Sequence, residues 1–277
     1  MIRLSVALYA WLGALLFVFA GTPAYAQYQP RPTGETALGE DFHIEGGLNF
    51  WGPTSDMTVA SSGSGALAGI PGTSINAKTD LGFVDQRLTE FNVTFRPAPA
   101  HKIRFQYLPI DFEASSTLRR TIDFNGQRYD VGLPVNSSLE WKTYRFGYEW
   151  DFFRSNSGFA GFIAEAKFTD VTVDLASPVV NEFTHAKAPI PAIGGVGRYY
   201  FIPMVAITGE LTLFKLPTVL NNYSGHYTDL NIYGTVNFVK NFGVQGGYRS
   251  VDVGFLAKQD TGAFTLKGIY FGLIARY

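Results

Sequence analysis

A closed all-β barrel of about ten antiparallel strands is the fold predicted by this sequence, on three observations. Beyond residue 40, apolar residues alternate singly with polar ones through nearly the whole chain, the period of a strand with two unlike faces. Aromatic residues make up 16% of the chain, with 24 Phe and 15 Tyr. Charged residues are also only 16%, against roughly 25% in soluble domains. The connections between alternating segments switch between short and long. An open sheet of so many strands would leave unpaired edges, which closure removes.

The N-terminus predicts export. Arg3 precedes an apolar run, Leu4 to Ala20, and Gly21-Thr22-Pro23-Ala24-Tyr25-Ala26 follows. A basic start, an apolar middle and an Ala-x-Ala end mark residues 1–26 as a cleaved secretory signal peptide, with the mature chain starting at Gln27. The run is marginal for a spanning helix, which needs roughly 20 apolar residues, and no later run reaches that length. The chain has no Cys, which excludes a lipoprotein anchor, disulfides, thiolate catalysis and thiolate metal sites. A formal charge of −1 offers no broad basic face for nucleic acid.

Residues 27–40, with Pro30, Pro32, Gly34 and Gly39, read as a flexible lead-in, and residues 41–277 as the barrel. Ten segments are predicted as strands, near 42–51, 88–97, 101–124, 127–152, 158–176, 189–201, 204–215, 226–239, 243–255 and 263–277. In the second, Phe91, Val93 and Phe95 alternate with Glu90, Asn92, Thr94 and Arg96. In the eighth, Leu230, Ile232, Val236 and Phe238 alternate with Asp229, Asn231, Thr235 and Asn237. Short turns fall at 97–100, 154–157, 202–203 and 240–241. Longer connections fall at 52–87, 177–188, 216–225 and 256–262. The third and fourth segments exceed the roughly 9–11 residues a tilted spanning strand needs. Asn125-Gly126 is a type I′ turn signal, so their distal parts, around 114–138, read as a hairpin standing beyond the membrane. Counting them as spanning strands gives twelve; eight is the other alternative.

The last strand carries a family signature. Ile269, Phe271, Leu273, Ala275 and Tyr277 share one face and end on an aromatic. This resembles the C-terminal signature of bacterial outer-membrane β-barrels. That resemblance implies recognition of Ile269, Phe271, Leu273 and Tyr277 by the barrel-assembly machinery. It also implies residence in the outer membrane among lipid and lipopolysaccharide. Tight turns on one side and longer loops on the other fit such barrels, with both termini and the turns periplasmic. Phe95, Trp150, Phe152, Tyr199, Phe201, Phe238 and Phe242 crowd the short-turn side, where they would form an interfacial girdle.

Candidate functional residues lie on the inward faces. Glu45, Glu90, Glu149, Glu165, Glu210 and Asp229 face Arg96, Arg104, Arg145, Lys167, Arg198 and Arg249. In a ten-stranded barrel, far narrower than the 16–18 strands of water-filled porins, these predict a lumen packed with paired charges. Arg104, Arg145, Arg198 and Arg249 are expected to pair chiefly with Glu45, Glu90, Glu149, Glu165 and Glu210. Four His residues occur: His43 and His101 near the turn side, His185 and His226 on or beside external loops. His226-Tyr227-Thr228-Asp229 sets a His near a carboxylate at the outer rim. The omptin proteases, ten-stranded outer-membrane barrels, carry acid and His residues at such a rim, but here no Asp-x-Asp pair accompanies an Asp-x-His pair. No His pair has metal-ligand spacing, and no Asp run matches a calcium loop. No metal or cofactor is expected. The reading is a non-enzymatic barrel, an envelope structural or surface-binding protein with a largely side-chain-filled lumen. Its alternatives are a narrow channel for ions or small solutes, and a rim-located hydrolase acting on lipid or peptide.

Overall fold

The alternating pattern folds into ten long strands that close on themselves. The computed structural model describes residues 37–63, 71–178, 181–219 and 223–277, all within one unit, Thr33–Tyr277. The predicted signal peptide and lead-in residues 27–36 lie outside the described residues. In chain order the strands are β1 (Ile44–Ala60), β2 (Ile75–Asn76), β3 (Leu88–Ala98), β4 (His101–Thr117), β5 (Ile122–Phe124), β6 (Gln127–Tyr129) and β7 (Pro134–Ser155). Then come β8 (Gly158–Ala176), β9 (Asn181–Ile202), β10 (Val205–Val219), β11 (Tyr223–Val239), β12 (Phe242–Ala257) and β13 (Asp260–Arg276). β1, β3, β4 and β7 to β13 form the wall, each pairing antiparallel with its neighbour in sequence. β13 closes on β1, with Glu45 opposite Arg276 and Ala60 opposite Thr261. Closure leaves no edge strand in the wall, the condition for a sheet that spans lipid.

One end of the barrel holds residues 37–43, Tyr277 and the turns at 99–100, 156–157, 203–204 and 240–241; this is the turn end. The opposite, loop end holds the long connections 61–87 and 118–133. Within the predicted loops 177–188, 216–225 and 256–262, residues 181–188, 216–219, 223–225, 256–257 and 260–262 are strand instead. Polar residues misled the reading at these places, because the wall inverts its polarity along its length.

Toward the turn end, outward positions are apolar. On β7 they are Tyr144, Phe146, Tyr148, Trp150 and Phe152, and on β13 Ile269, Phe271, Leu273 and Tyr277, all exposed. Toward the loop end the same faces become polar: Glu140 and Lys142 on β7, Asp111 and Glu113 on β4, Thr265 and Lys267 on β13. The inward faces change the opposite way. On β4, Lys102, Arg104 and Gln106 give way to Leu108, Ile110 and Phe112, the last two 1% exposed. A wall standing in water must bury apolar side chains inside, whereas one standing in lipid turns them outward. The apolar belt on β13, from Ile269 to Tyr277, rises about 20 Å, taking ~3.3 Å per residue and a tilt near 40°.

The predicted hairpin is present but does not stand proud. β4 ends at Thr117 and β7 starts at Pro134, so only residues 118–133 leave the wall. β5 and β6 pair with each other alone. Their turn is the one expected: Asn125 and Gly126 have φ of 49° and 81°, the left-handed pair that a type I′ turn requires. Ile122, Phe124 and Tyr129, at 0%, 1% and 0% exposure, are buried with Leu118 among Met57, Ile75, Phe112, Val135 and Leu175. The apolar face of the hairpin finds its cover in the barrel mouth, so the segment folds inward as a lid.

Candidate functional site

The inner wall at belt height is a neutral charge network. Among the described residues, the cations Arg96, Lys102, Arg104, Arg145, Lys167, Arg198, Arg249 and Arg276 meet the carboxylates Glu40, Glu45, Glu90, Glu149, Asp151, Glu165, Glu210 and Asp229. Period-two geometry puts each wall residue there, since its strand neighbours face outward. A charge facing a narrow interior without a partner is costly, so the register is held by pairing as well as by the apolar belt.

Some pairs link neighbouring strands, and others, such as Arg104–Glu210, Arg145–Asp229 and Arg249–Glu90, reach strands that are not neighbours in the wall. Arg104 on β4 donates to Glu149 on β7 at 2.9 Å and to Glu210 on β10 at 2.8 Å. Tyr233 also donates to Glu210, at 3.0 Å. Asp229 on β11 is a second hub. Arg249 donates to both of its oxygens, at 3.0 and 2.8 Å, and Arg145 and Lys167 lie 3.4 and 3.6 Å away. Arg145 also pairs with Glu165, and Arg249 with Glu90. Lys167, 0% exposed, pairs with Glu165 at 2.9 Å. A two-oxygen contact from one guanidinium fixes orientation as well as charge.

Two of the sequence-derived partners differ from expectation. Glu45 takes its bond from Arg276, at 2.5 Å, across the β1–β13 seam. Arg198 pairs with Glu40 at 3.0 Å, a residue of the lead-in. Lys102 and Asp151, paired at 3.1 Å, were also missed, although each alternates with outward apolar neighbours and was legible by parity. Arg276 hid in the C-terminal signature, where attention went to the opposite face. Glu40 carried no strand pattern at all.

Above the network the lumen turns apolar, with aromatic faces at the junction. Lys167 Nζ lies 3.5 Å from the Tyr227 ring centre, and the Arg249 guanidinium 5.4 Å from that of Trp51. Such contacts let a cation meet an apolar layer without losing all electrostatic support. Between the pairs sits a polar cavity of about 70 Å³, lined by Asn92, Thr94, Gln106, Asn231 and Gln245 with the charged hubs. That is room for a few water molecules.

The lid is stitched over the apolar layer. Arg120 clasps Asp80 through two hydrogen bonds of 3.0 and 2.6 Å and donates to the Ser74 carbonyl at 2.5 Å. Asn125 donates from its backbone to Ser61 at 2.9 Å and from its side chain to Glu182 at 3.0 Å. Tyr129 donates to the Leu175 carbonyl at 2.8 Å, and burial pushes its phenol up to about 12. Arg120 holds the Asp80 carboxyl below the usual carboxylate range, against the opposing effect of burial.

The His residues do not assemble at the rim. His226 pairs with Asp252 at 2.9 Å, and His185 with Asp170 at 2.6 Å, both on the outer wall. Asp229, the carboxylate read beside His226, faces the lumen on the other side of β11. Thr265 donates to Asp252 at 2.8 Å, but both His–Asp pairs point away from the barrel mouth and lie in strands rather than loops.

No protein-family model matches the sequence, and no curated protein does. Among solved structures, the outer-membrane protease OmpT from Escherichia coli aligns with a TM-score of 0.55 at 9% identity, over 86% of this chain and 97% of that one. Ail, the attachment invasion locus protein of Yersinia pestis, gives 0.38 at 6% identity, over 83% and 99%. The toluene transporter TodX of Pseudomonas putida gives 0.35 at 7% identity, over 86% and 90%. At 9% identity the likeness to OmpT is one of architecture, and by it this chain has the fold of a bacterial outer-membrane β-barrel.

Proposed function

We propose that the protein is a non-conducting, non-enzymatic barrel of the outer membrane that serves the envelope as a structural or surface-binding element. One observation carries this reading: successive layers of side chains close the lumen. Lead-in residues occupy the turn end, crossing ion pairs fill the belt, and an apolar layer under the stitched lid seals the loop end. The turn end is periplasmic in this reading, as the tight turns there favour. The loop-end wall and lid then face outward and present the binding surface.

Two further features support the placement. Exposed Lys142, Lys187, Lys215 and Lys267 stand on the outer wall just past the belt, the height at which lipopolysaccharide and phospholipid phosphates lie. The outward stripe of Ile269, Phe271, Leu273 and Tyr277 is open for the barrel-assembly machinery. The test is a planar-bilayer recording of the purified protein. The expected trace has no stable unitary steps, and reproducible steps from a folded, heat-modifiable sample would replace this reading with the narrow channel.

A further inference from the structure

Residues 37–43 do not join the sheet, yet they lie within its turn-end mouth. Leu38 donates from its backbone to the Pro203 carbonyl at 3.0 Å, and His43 to the Tyr277 carbonyl at 2.7 Å. Ala37 packs with Tyr200 and Ala206. Phe42, 8% exposed, lies beneath the guanidiniums of Arg96 and Arg276, 5.4 and 5.8 Å from its ring centre. Between these anchors, Glu40 fills a site built for a carboxylate. It accepts from Arg198 at 3.0 Å, from Tyr200 at 2.9 Å and from Arg96 at 3.4 Å. Arg96 also donates to the Glu40 carbonyl at 2.5 Å.

The same site connects to the polar cavity. Arg198 reaches Tyr233 at 3.3 Å, and Tyr233 donates to Glu210 on the cavity wall. Apolar burial in the segment comes from Ala37 and Phe42, and the Glu40 carboxylate supplies its ionic hold. Removing that carboxylate leaves Arg96 and Arg198 near each other in a confined space. Such a site draws in water or anions rather than collapsing shut.

The geometry points to a stopper: Ala37–Phe42 closes the turn-end mouth, and displacing Glu40 joins the polar cavity to the aqueous side while the apolar layer stays closed. This rests on the closed-lumen reading above, whose failure would show as unitary conductance steps, whereas failure of the stopper shows in thiol labelling. Because the chain has no Cys, one introduced thiol reports without background. Thr94→Cys sits on the cavity wall, and Ser157→Cys sits on an exposed turn at the same end.

Labelling with a small neutral methanethiosulfonate in detergent micelles is expected to be at least tenfold slower at Thr94→Cys than at Ser157→Cys. Adding Glu40→Lys should speed the Thr94→Cys reaction tenfold or more while heat-modifiable gel mobility is kept. Phe42→Ala, which keeps the charges, should speed it as well and decides the matter if Glu40→Lys does not fold. Slow labelling in the folded variants would overturn the stopper and leave the closed lumen standing. Fast labelling with the segment intact would overturn the stopper too, because the turn end would then be open with Ala37–Phe42 in place.

Discussion

At the scale of single residues, what was legible was parity, and what was not was partnership. Alternation alone turned Arg104, Arg145, Arg198 and Arg249 inward, because the opposite face of each strand carried Phe, Tyr, Val and Leu. The choice of partner depends on which strands face each other across the lumen, and local pattern holds no such information. Glu45 met Arg276 because closure of β13 on β1 sets the two opposite each other, and Glu40 went unread because it lies on no strand. Asp229 tests the resulting network best, since three cations converge on it. Asp229→Ala should destabilise the barrel by about 3–5 kcal/mol, the usual cost of leaving buried charges unpaired. Glu140→Ala, which removes an exposed partner of Lys142, should cost about 0–1 kcal/mol. Guanidinium unfolding in lipid vesicles, followed by Trp fluorescence, measures both. Equal effects would mean a lumen that water screens freely.

At the scale of elements, the lid shows where a strong local signal ends. Asn125-Gly126 specified the turn correctly, but a two-residue turn does not say where the hairpin docks. The apolar face of Leu118, Ile122, Phe124 and Tyr129 required cover, and the apolar inner wall beyond the belt supplies it. That inner wall carried no outward apolar stripe to mark it, because outward positions there are polar, as at His185 and Lys187 on β9. The clasp between Arg120 and Asp80 gives the lid a pH response. A carboxyl held low by its partner contributes stability that is present above the usual carboxylate range and is lost as pH falls through the depressed value. Amides of Ile122–Tyr129 should thus stay protected from hydrogen exchange at pH 7 and lose protection only as pH falls below the usual carboxylate range. Arg120→Ala should lower protection at pH 7 and flatten the dependence on pH. An unchanged acid response in that variant would assign the opening to other carboxylates of the loops.

At the scale of the whole molecule, the inversion of polarity along the wall sets how deep the barrel sits. The strand count, the closure and the position of the turns were all readable from period and turn chemistry. The height of the belt was not, because alternation continues unbroken where lipid ends and water begins; only the assignment of faces reverses. β13 allows a test within one strand. Leu273 lies near the middle of its outward apolar stripe, while exposed Ala263 faces outward beyond the belt. Leu273→Arg should cost roughly 2–4 kcal/mol in lipid vesicles, the penalty for a charge at mid-bilayer. Ala263→Arg faces water and should stay within about 0.5 kcal/mol, as surface substitutions do. Both variants keep the inward face and its ion pairs, so the difference between them reports lipid contact rather than packing of the lumen. In detergent of short chain length the gap should narrow, because headgroups reach the Leu273 level. If the two substitutions cost the same in vesicles, lipid does not cover the stripe from Ile269 to Tyr277, and the membrane must contact a different band of the wall.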